Sequence, residues 1–296
     1  MTSPKRMLDY IYEHEKNLAN QVYLTQPVGK GKVVDYTWGQ TMDQARRMAA
    51  HLHGLGLAPG ARIGILSKNC AHFFMTELAI WMAGYTTVAI FPTESASTVR
   101  FVLEHSEASL LFVGKLDTWP EQEPGVPADM PRIAFPLAPA TPYDTWDAIT
   151  ARTAPIAGFP QRAGTDLAML IYTSGSTGQP KGVMHSFERI TASTELSVSQ
   201  NMGGVVTPGR SIASCPTCRW RMCLSVQWWN AIALWWARYT SFLPSRSTLL
   251  PPTCSAHGPH CLCRCRVCGS SSNRRFLQKC RRANWRFCCA FPSSTK

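Results

Sequence analysis

Between residues 62 and 113, strand-like and helix-like segments alternate along the chain. Short apolar or β-branched runs at Arg62–Leu66, Thr86–Phe91 and Ser109–Val113 predict three buried strands. The intervening segments, Ala71–Ala83 and Ser97–His105, have the composition and spacing of helices. This order favours parallel strands with helices packed on the sheet faces. The predicted fold class is therefore α/β, with a mostly parallel sheet flanked by helices.

The pattern continues on both sides of this region. Thr41–Leu55 has apolar residues at helical spacing and predicts an amphipathic helix. Asp166–Tyr172 predicts a further buried strand, followed by a short strand at Gly182–His185 and a helix at Glu188–Ser199.

The segment Asp117–Thr165 contains nine prolines and little periodicity. We interpret it as an irregular connector and not a domain, with a short helical turn near Trp146.

Charge divides the chain at Gly209. Residues 1–209 carry 16 Lys and Arg against 18 Asp and Glu, with one cysteine, which is ordinary cytosolic composition. Residues 210–296 carry 14 Lys and Arg, no Asp or Glu, and 11 cysteines. A segment of this length should contain on the order of ten acidic residues. We therefore assign residues 1–209 to an incomplete α/β domain and residues 210–296 to a basic tail without an assigned domain.

A loop rich in serine, glycine and threonine follows the strand that ends at Tyr172. Glycines let backbone N–H groups converge on anionic oxygens, and hydroxyl side chains add neutral donors. A lysine supplies a compact positive charge for phosphate. The composition favours polyphosphate binding, although a flexible linker has a similar composition. The candidate binding residues are Thr173, Ser174, Gly175, Ser176, Thr177, Gly178 and Lys181.

This loop is not a Walker A motif, because Gln179 and Pro180 separate Gly178 from the lysine. Instead, YTSGSTGQPKG at Tyr172–Gly182 resembles the ATP-phosphate loop of AMP-forming acyl-CoA synthetases in the adenylate-forming superfamily. The resemblance covers about residues 36–204. It includes Tyr36-Thr37-Trp38, Gly60–Ile65, Lys68-Asn69 and, more typical of the long-chain fatty-acid branch, Phe91-Pro92-Thr93 and Val102–Ala108.

The resemblance implies a partial N-terminal domain of the adenylate-forming fold and a two-step reaction. A fatty acid and ATP give acyl-adenylate and pyrophosphate, and coenzyme A then displaces AMP. The loop and Mg²⁺ would neutralise the β- and γ-phosphates. Thr173, Ser174, Ser176, Thr177 and Lys181 would hold phosphate, and no residue is assigned to proton transfer. An aryl or amino-acid activating ligase is the alternative within the superfamily.

Three nearby residues are left out of the predicted site. His185 at a strand end is interpreted as structural. His105 and Glu104 are expected on the solvated face of a helix.

The tail permits two functional interpretations. Cys261, Cys263, Cys265 and Cys268 suggest zinc, but zinc modules usually separate two ligand pairs. Basic residues and tryptophans suggest nucleic-acid binding. A nucleotide-binding module with a metal- or nucleic-acid-binding tail is therefore the alternative function.

A change of reading frame explains the tail more simply. If Cys218–Cys223 is written TGC CGC TGG CGC ATG TGT and read two bases later, it gives Pro-Leu-Ala-His-Val. Long-chain acyl-CoA synthetases carry this pentapeptide after their phosphate loop. In the same frame, Leu224–Asn230 permits Glu-Arg and then obligatory Val-Glu, and Pro244–Cys261 permits an acid-containing helical pattern. The hypothesis is a frame change shortly before Ser211, which makes the tail non-native or disordered.

We therefore expect the chain as written to be an inactive fragment of a ligase, with an uncovered sheet edge that favours aggregation. Its expected partners are fatty acid, ATP and coenzyme A, with no nucleic acid. No secretory signal opens the sequence, and Val226–Tyr239 falls short of the ~20 apolar residues of a membrane span. The expected location is the cytoplasm, with peripheral membrane association left open.

Overall fold

The computed structural model describes residues 5–29, 32–173 and 180–199. The predicted loop residues 174–178 and the whole tail from residue 210 lie outside the described residues. The helices are α1 (Met7–Asn17), α2 (Trp38–Gly54), α3 (Ala71–Met82), α4 (Ala96–His105), α5 (Trp119–Gln122), α6 (Trp146–Arg152) and α7 (Phe187–Ser199), with a 3₁₀ turn at Glu123–Gly125. The strands are β1 (Val22–Gly29), β2 (Lys32–Thr37), β3 (Arg62–Leu66), β4 (Thr86–Ile90), β5 (Ala108–Val113), β6 (Arg132–Ala134), β7 (Asp144–Thr145), β8 (Leu167–Thr173) and β9 (Lys181–Ser186).

In the part of the chain that the structure describes, seven strands form one sheet in the order β7-β6-β5-β3-β4-β8-β9. All neighbours are parallel except β8 and β9, which are antiparallel. β1 and β2 form a separate antiparallel hairpin. The predicted α/β class with a mostly parallel sheet is confirmed.

The sheet has an apolar core on each face. On one face, every residue of α3 is buried, so this helix lacks the polar stripe of a surface helix. On the other face, α4 packs over β3 at Gly64, where an added Cβ would lie 2.9 Å from Leu111 Cδ1 and 3.2 Å from Leu103 Cδ2. α3 connects β3 to β4, and α4 connects β4 to β5, which lies on the opposite side of β3 in the sheet. The two right-handed connections therefore run in opposite directions and place their helices on opposite faces.

The connector differs from its predicted character. The helical turn at Trp146 is present as α6, but β6 and β7 also extend the sheet beyond β5. These strands are three and two residues long, which is too short to give a periodic signal. Trp146 is fully buried, and its Nε1 donates to Gln44 Oε1 at 2.9 Å. The connector is therefore part of the sheet and its core.

The hairpin is joined to the sheet through the start of α3. Gln26 in β1 is buried, and its Oε1 accepts a hydrogen bond from the Ala71 N–H at 2.8 Å. Cys70, the N-cap residue, provides no side-chain cap. A distant amide therefore satisfies one of the free N–H groups of the first helical turn.

None of the helices in the described ranges has the length and apolar character needed to cross a membrane.

Candidate functional site

The two ends of the predicted loop meet at the carboxyl edge of the parallel strands. β8 ends at Thr173 and β9 begins at Lys181, and the antiparallel register pairs these two residues directly. β4 lies beside β8 in parallel, so its end at Ile90 reaches the same edge. In open α/β sheets, ligands bind outside this edge.

Of the predicted phosphate-binding residues, the structure describes two. Thr173 and Lys181 are both exposed and oppose each other across the β8–β9 pair. The other five, Ser174, Gly175, Ser176, Thr177 and Gly178, lie outside the described residues. Thr173 and Lys181 therefore mark the two ends of the predicted loop at this edge of the sheet.

A cavity of about 140 Å³ adjoins the loop ends. It lies between Thr98 and Val102 of α4 and the ends of β4 and β8. Glu94 brings a carboxylate to it, and Thr98 and Thr173 bring hydroxyl groups. The lining residues are Ile90, Phe91, Glu94, Thr98, Val102, Tyr172, Thr173 and Pro180.

Within residues 5–29, 32–173 and 180–199, no group of three or more His, Cys, Asp or Glu side chains is placed to hold a metal. Mg²⁺ at nucleotide sites is held mainly by substrate phosphates and water, with one or two carboxylates. The described part of the site is compatible with Mg²⁺ that arrives bound to ATP.

Tyr172 lies next to both ends of the loop. It precedes Thr173 and opposes Gly182 in the register. An added Cβ on Gly182 would lie 3.1 Å from Tyr172 Cζ, so the ring lies directly against the backbone next to Lys181. Burial raises the pKa of the Tyr172 phenol, and hydrogen bonding to Ser106 opposes this shift.

His105 differs from its predicted role as a purely solvated residue. Its ring is exposed, but its Nδ1 lies 2.8 Å from Tyr172 Oη. It also stacks on Phe101, with ring centroids 5.2 Å apart. Glu104 agrees with the expectation, being exposed in an ion pair with Arg100. No local pattern could reveal the contact of His105, because its partner is 67 residues later in the chain.

His185 lies in β9, half-buried and paired in register with Met169. Burial lowers the pKa of its imidazole, and the nearby Arg189 adds to the shift. His185 is therefore disposed to remain neutral at physiological pH.

Comparison with known proteins gives a match to the family model of AMP-binding enzymes over residues 13–262. The long-chain-fatty-acid–CoA ligase FadD15 of Mycobacterium bovis is 33% identical over 180 residues, covering 58% of this chain and 30% of that protein. The long chain acyl-CoA synthetase 2 of Arabidopsis thaliana is 27% identical over 193 residues, covering 59% and 29%.

Among solved structures, the anthranilate CoA ligase AuaEII in complex with anthranoyl-AMP is similar in fold, with a TM-score of 0.58 at 21% identity. The match covers 69% of this chain and 38% of that structure. The chain matches about 30% of the length of the curated relatives named above.

Proposed function

The chain belongs to the AMP-binding enzyme family, and on this premise we propose that its loop between Thr173 and Lys181 holds the β- and γ-phosphates of ATP. The family includes adenylate-forming acyl- and aryl-CoA ligases. The observation that carries the proposal is the direct pairing of Thr173 with Lys181 at the carboxyl edge of the sheet. This pairing places a hydroxyl and an ammonium group at opposite ends of one short loop.

The proposed chemistry explains why such a loop is needed. A carboxylate attacks the α-phosphate of ATP, pyrophosphate leaves and acyl-adenylate forms; coenzyme A thiol then displaces AMP to give the thioester. Both reactants of the first step are anions, so the barrier falls when positive charge and N–H donors neutralise the departing pyrophosphate. In this proposal, Lys181 and Thr173 bind and orient phosphate, together with Ser174, Gly175, Ser176, Thr177 and Gly178.

We propose a long-chain fatty acid as the carboxylate substrate and a cytoplasmic location, where ATP and coenzyme A are available. The names of the bacterial and plant relatives support this choice. The residues Phe91-Pro92-Thr93 and Val102–Ala108, which resemble the long-chain branch, also support it.

Binding of ATP to the whole chain tests the loop assignment. Because a hydrogen bond to a charged group is worth more than a neutral one, Lys181→Ala should weaken binding of MgATP by roughly tenfold or more. Lys16→Ala removes the same charge from the exposed surface of α1 and serves as the control. Equal affinities of the Lys181→Ala variant and the unsubstituted chain, measured by calorimetric titration, would contradict the assignment.

We propose in addition that residues 1–209 form the genuine family domain and that the frame changes shortly before Ser211. The support is the loss of all acidic residues beyond Gly209 and the agreement of three shifted-frame stretches. The family match continues to residue 262, so the nucleotide sequence through codons 200–215 is the decisive measurement. An unbroken frame in the gene would overturn the proposal.

The proposed change of frame also leads to a prediction about catalytic activity. The chain as written should bind ATP without forming thioester, because residues from 211 onward would not supply the later parts of the active site. Formation of AMP from palmitate, ATP and coenzyme A by the purified chain would contradict it. The chain with its frame restored from codon 210 is the matched comparison.

A further inference from the structure

Tyr172 lies between the two ends of the phosphate loop and the end of α4. Its backbone leads into Thr173, and its ring covers the backbone of Gly182, next to Lys181. It also lines the cavity that contains Thr173 and Pro180. A movement of this ring would therefore shift both ends of the loop together.

The hydroxyl of Tyr172 is held from α4. His105 Nδ1 lies 2.8 Å from Tyr172 Oη, and the two rings meet edge to face at 88°. His105 is in turn fixed by stacking on Phe101, with an interplanar angle of 28°. The ring is thus restrained at its face by Gly182 and at its hydroxyl by the last turn of α4.

The location of His105 makes this arrangement specific to the loop. α4 packs against the sheet through Val99, Val102 and Leu103, which are fully buried. His105 lies at the exposed end of the helix and contributes little to that apolar core. Its contact with Tyr172 is therefore better suited to set the position of one side chain than to hold the helix on the sheet.

We infer that His105 and Tyr172 are positioning residues that fix both ends of the phosphate loop through their hydrogen bond. The consequence for nucleotide binding rests on the proposed function; the consequence for the loop itself does not. Loss of the bond should leave the domain folded and make the two described ends of the loop, residues 172–173 and 180–183, less ordered.

The test uses the full chain with Tyr172→Phe, His105→Phe and the double variant. Tyr172→Phe keeps the ring against Gly182 and removes only the hydroxyl; His105→Phe keeps an aromatic stack on Phe101. Gln44→Leu is the control, because it deletes a side-chain hydrogen bond of similar length, the bond from Trp146 to Gln44. This bond joins α6 to α2, and neither helix contains an end of the loop. Amide hydrogen exchange of residues 172–183 and the affinity for MgATP are measured for each.

Each single variant should accelerate exchange in this segment and weaken ATP binding by about threefold to tenfold, the equivalent of one ordinary net hydrogen bond. The double variant should show no more than the larger single effect, because both substitutions remove the same bond. Gln44→Leu should change neither quantity.

Unchanged exchange in the two single variants would overturn the inference. Faster exchange with unchanged ATP affinity would overturn its consequence for the nucleotide. If the unsubstituted chain does not bind ATP, the proposed function fails, and hydrogen exchange still decides whether the pair holds the loop.

Discussion

His72 should make the folded chain lose stability in mild acid. It is the second residue of α3 and only 3% exposed, and its buried Nδ1 has no hydrogen-bond partner among the residues that the structure describes. The rings of Tyr36, Phe135 and Trp146 surround it, with centroids 5.4 to 6.0 Å from its own. Burial among these rings lowers the pKa of the imidazole from 6.5 to about 4.

The direction of the effect follows from where the proton binds. Between pH 6.5 and pH 4 the unfolded chain takes up a proton on His72 that the folded chain excludes, so the free energy of unfolding falls as the pH falls. A difference of this size corresponds to about 2 kcal/mol at pH 5 and about 3 kcal/mol at pH 4, relative to pH 7. This is a large fraction of the stability of an ordinary domain.

Urea unfolding at pH 7, 6 and 5 measures the effect, with His72→Leu as the matched variant. Leucine has a similar volume and cannot be protonated, and removing an unpartnered buried nitrogen should cost little at pH 7. Carboxylates and other histidines also titrate in this range, but they are common to both proteins and cancel in the difference. If both proteins lose the same stability from pH 7 to pH 5, the reasoning about His72 is wrong.

Three further substitutions test local features of the fold by urea unfolding. Glu107 has φ of 51° after the end of α4, so Glu107→Gly should raise the free energy of unfolding by about 0.5–1 kcal/mol. Arg62→Gln removes only the exposed ion pair to Glu107 and should change this free energy little. A lower free energy of unfolding in Glu107→Gly would contradict the argument. Gln26→Leu removes the buried acceptor of the Ala71 N–H and should cost about 1–2 kcal/mol; an unchanged midpoint would show that the hairpin does not cap α3. Gly182→Ala forces the Tyr172 ring to move and should lower the free energy of unfolding by about 1 kcal/mol. Gly54→Ala is the control and should not destabilise the protein, because a Cβ added there has no neighbour within 4 Å. Equal effects of the two substitutions would refute the close contact between Gly182 and Tyr172.

The sequence predicted the central sheet well because its strands and helices carry strong local signals. β3 was predicted with the bounds that the structure gives it, and α3 with its first residue correct. The run of buried residues in β8 and the polar loop after it also give a local signal, so the edge of the sheet that carries Thr173 was predictable. The identity of the family followed from the same segment.

The missing features depend on contacts between residues distant in sequence. β6 and β7 are strands only because β5 provides a partner for three residues and β6 for two. Gln26 caps a helix that starts 45 residues later, and His105 bonds a tyrosine 67 residues away. Such pairings leave no periodic pattern in either segment, and reasoning from one sequence alone does not find them.

The complete burial of α3 has a consequence for the order in which the protein is made. A mostly apolar helix that is buried on every side in the folded protein is prone to aggregation until its neighbours cover it. The hairpin, α2 and β3 are all synthesised before α3, so part of its cover already exists when it leaves the ribosome. Trp81 is the exception: its indole N–H donates to the carbonyl of Ala168, 87 residues later. Its burial as a satisfied donor is completed only when β8 joins the sheet, so the strand that leads into the proposed phosphate loop also supplies a hydrogen-bond acceptor to the fully buried helix.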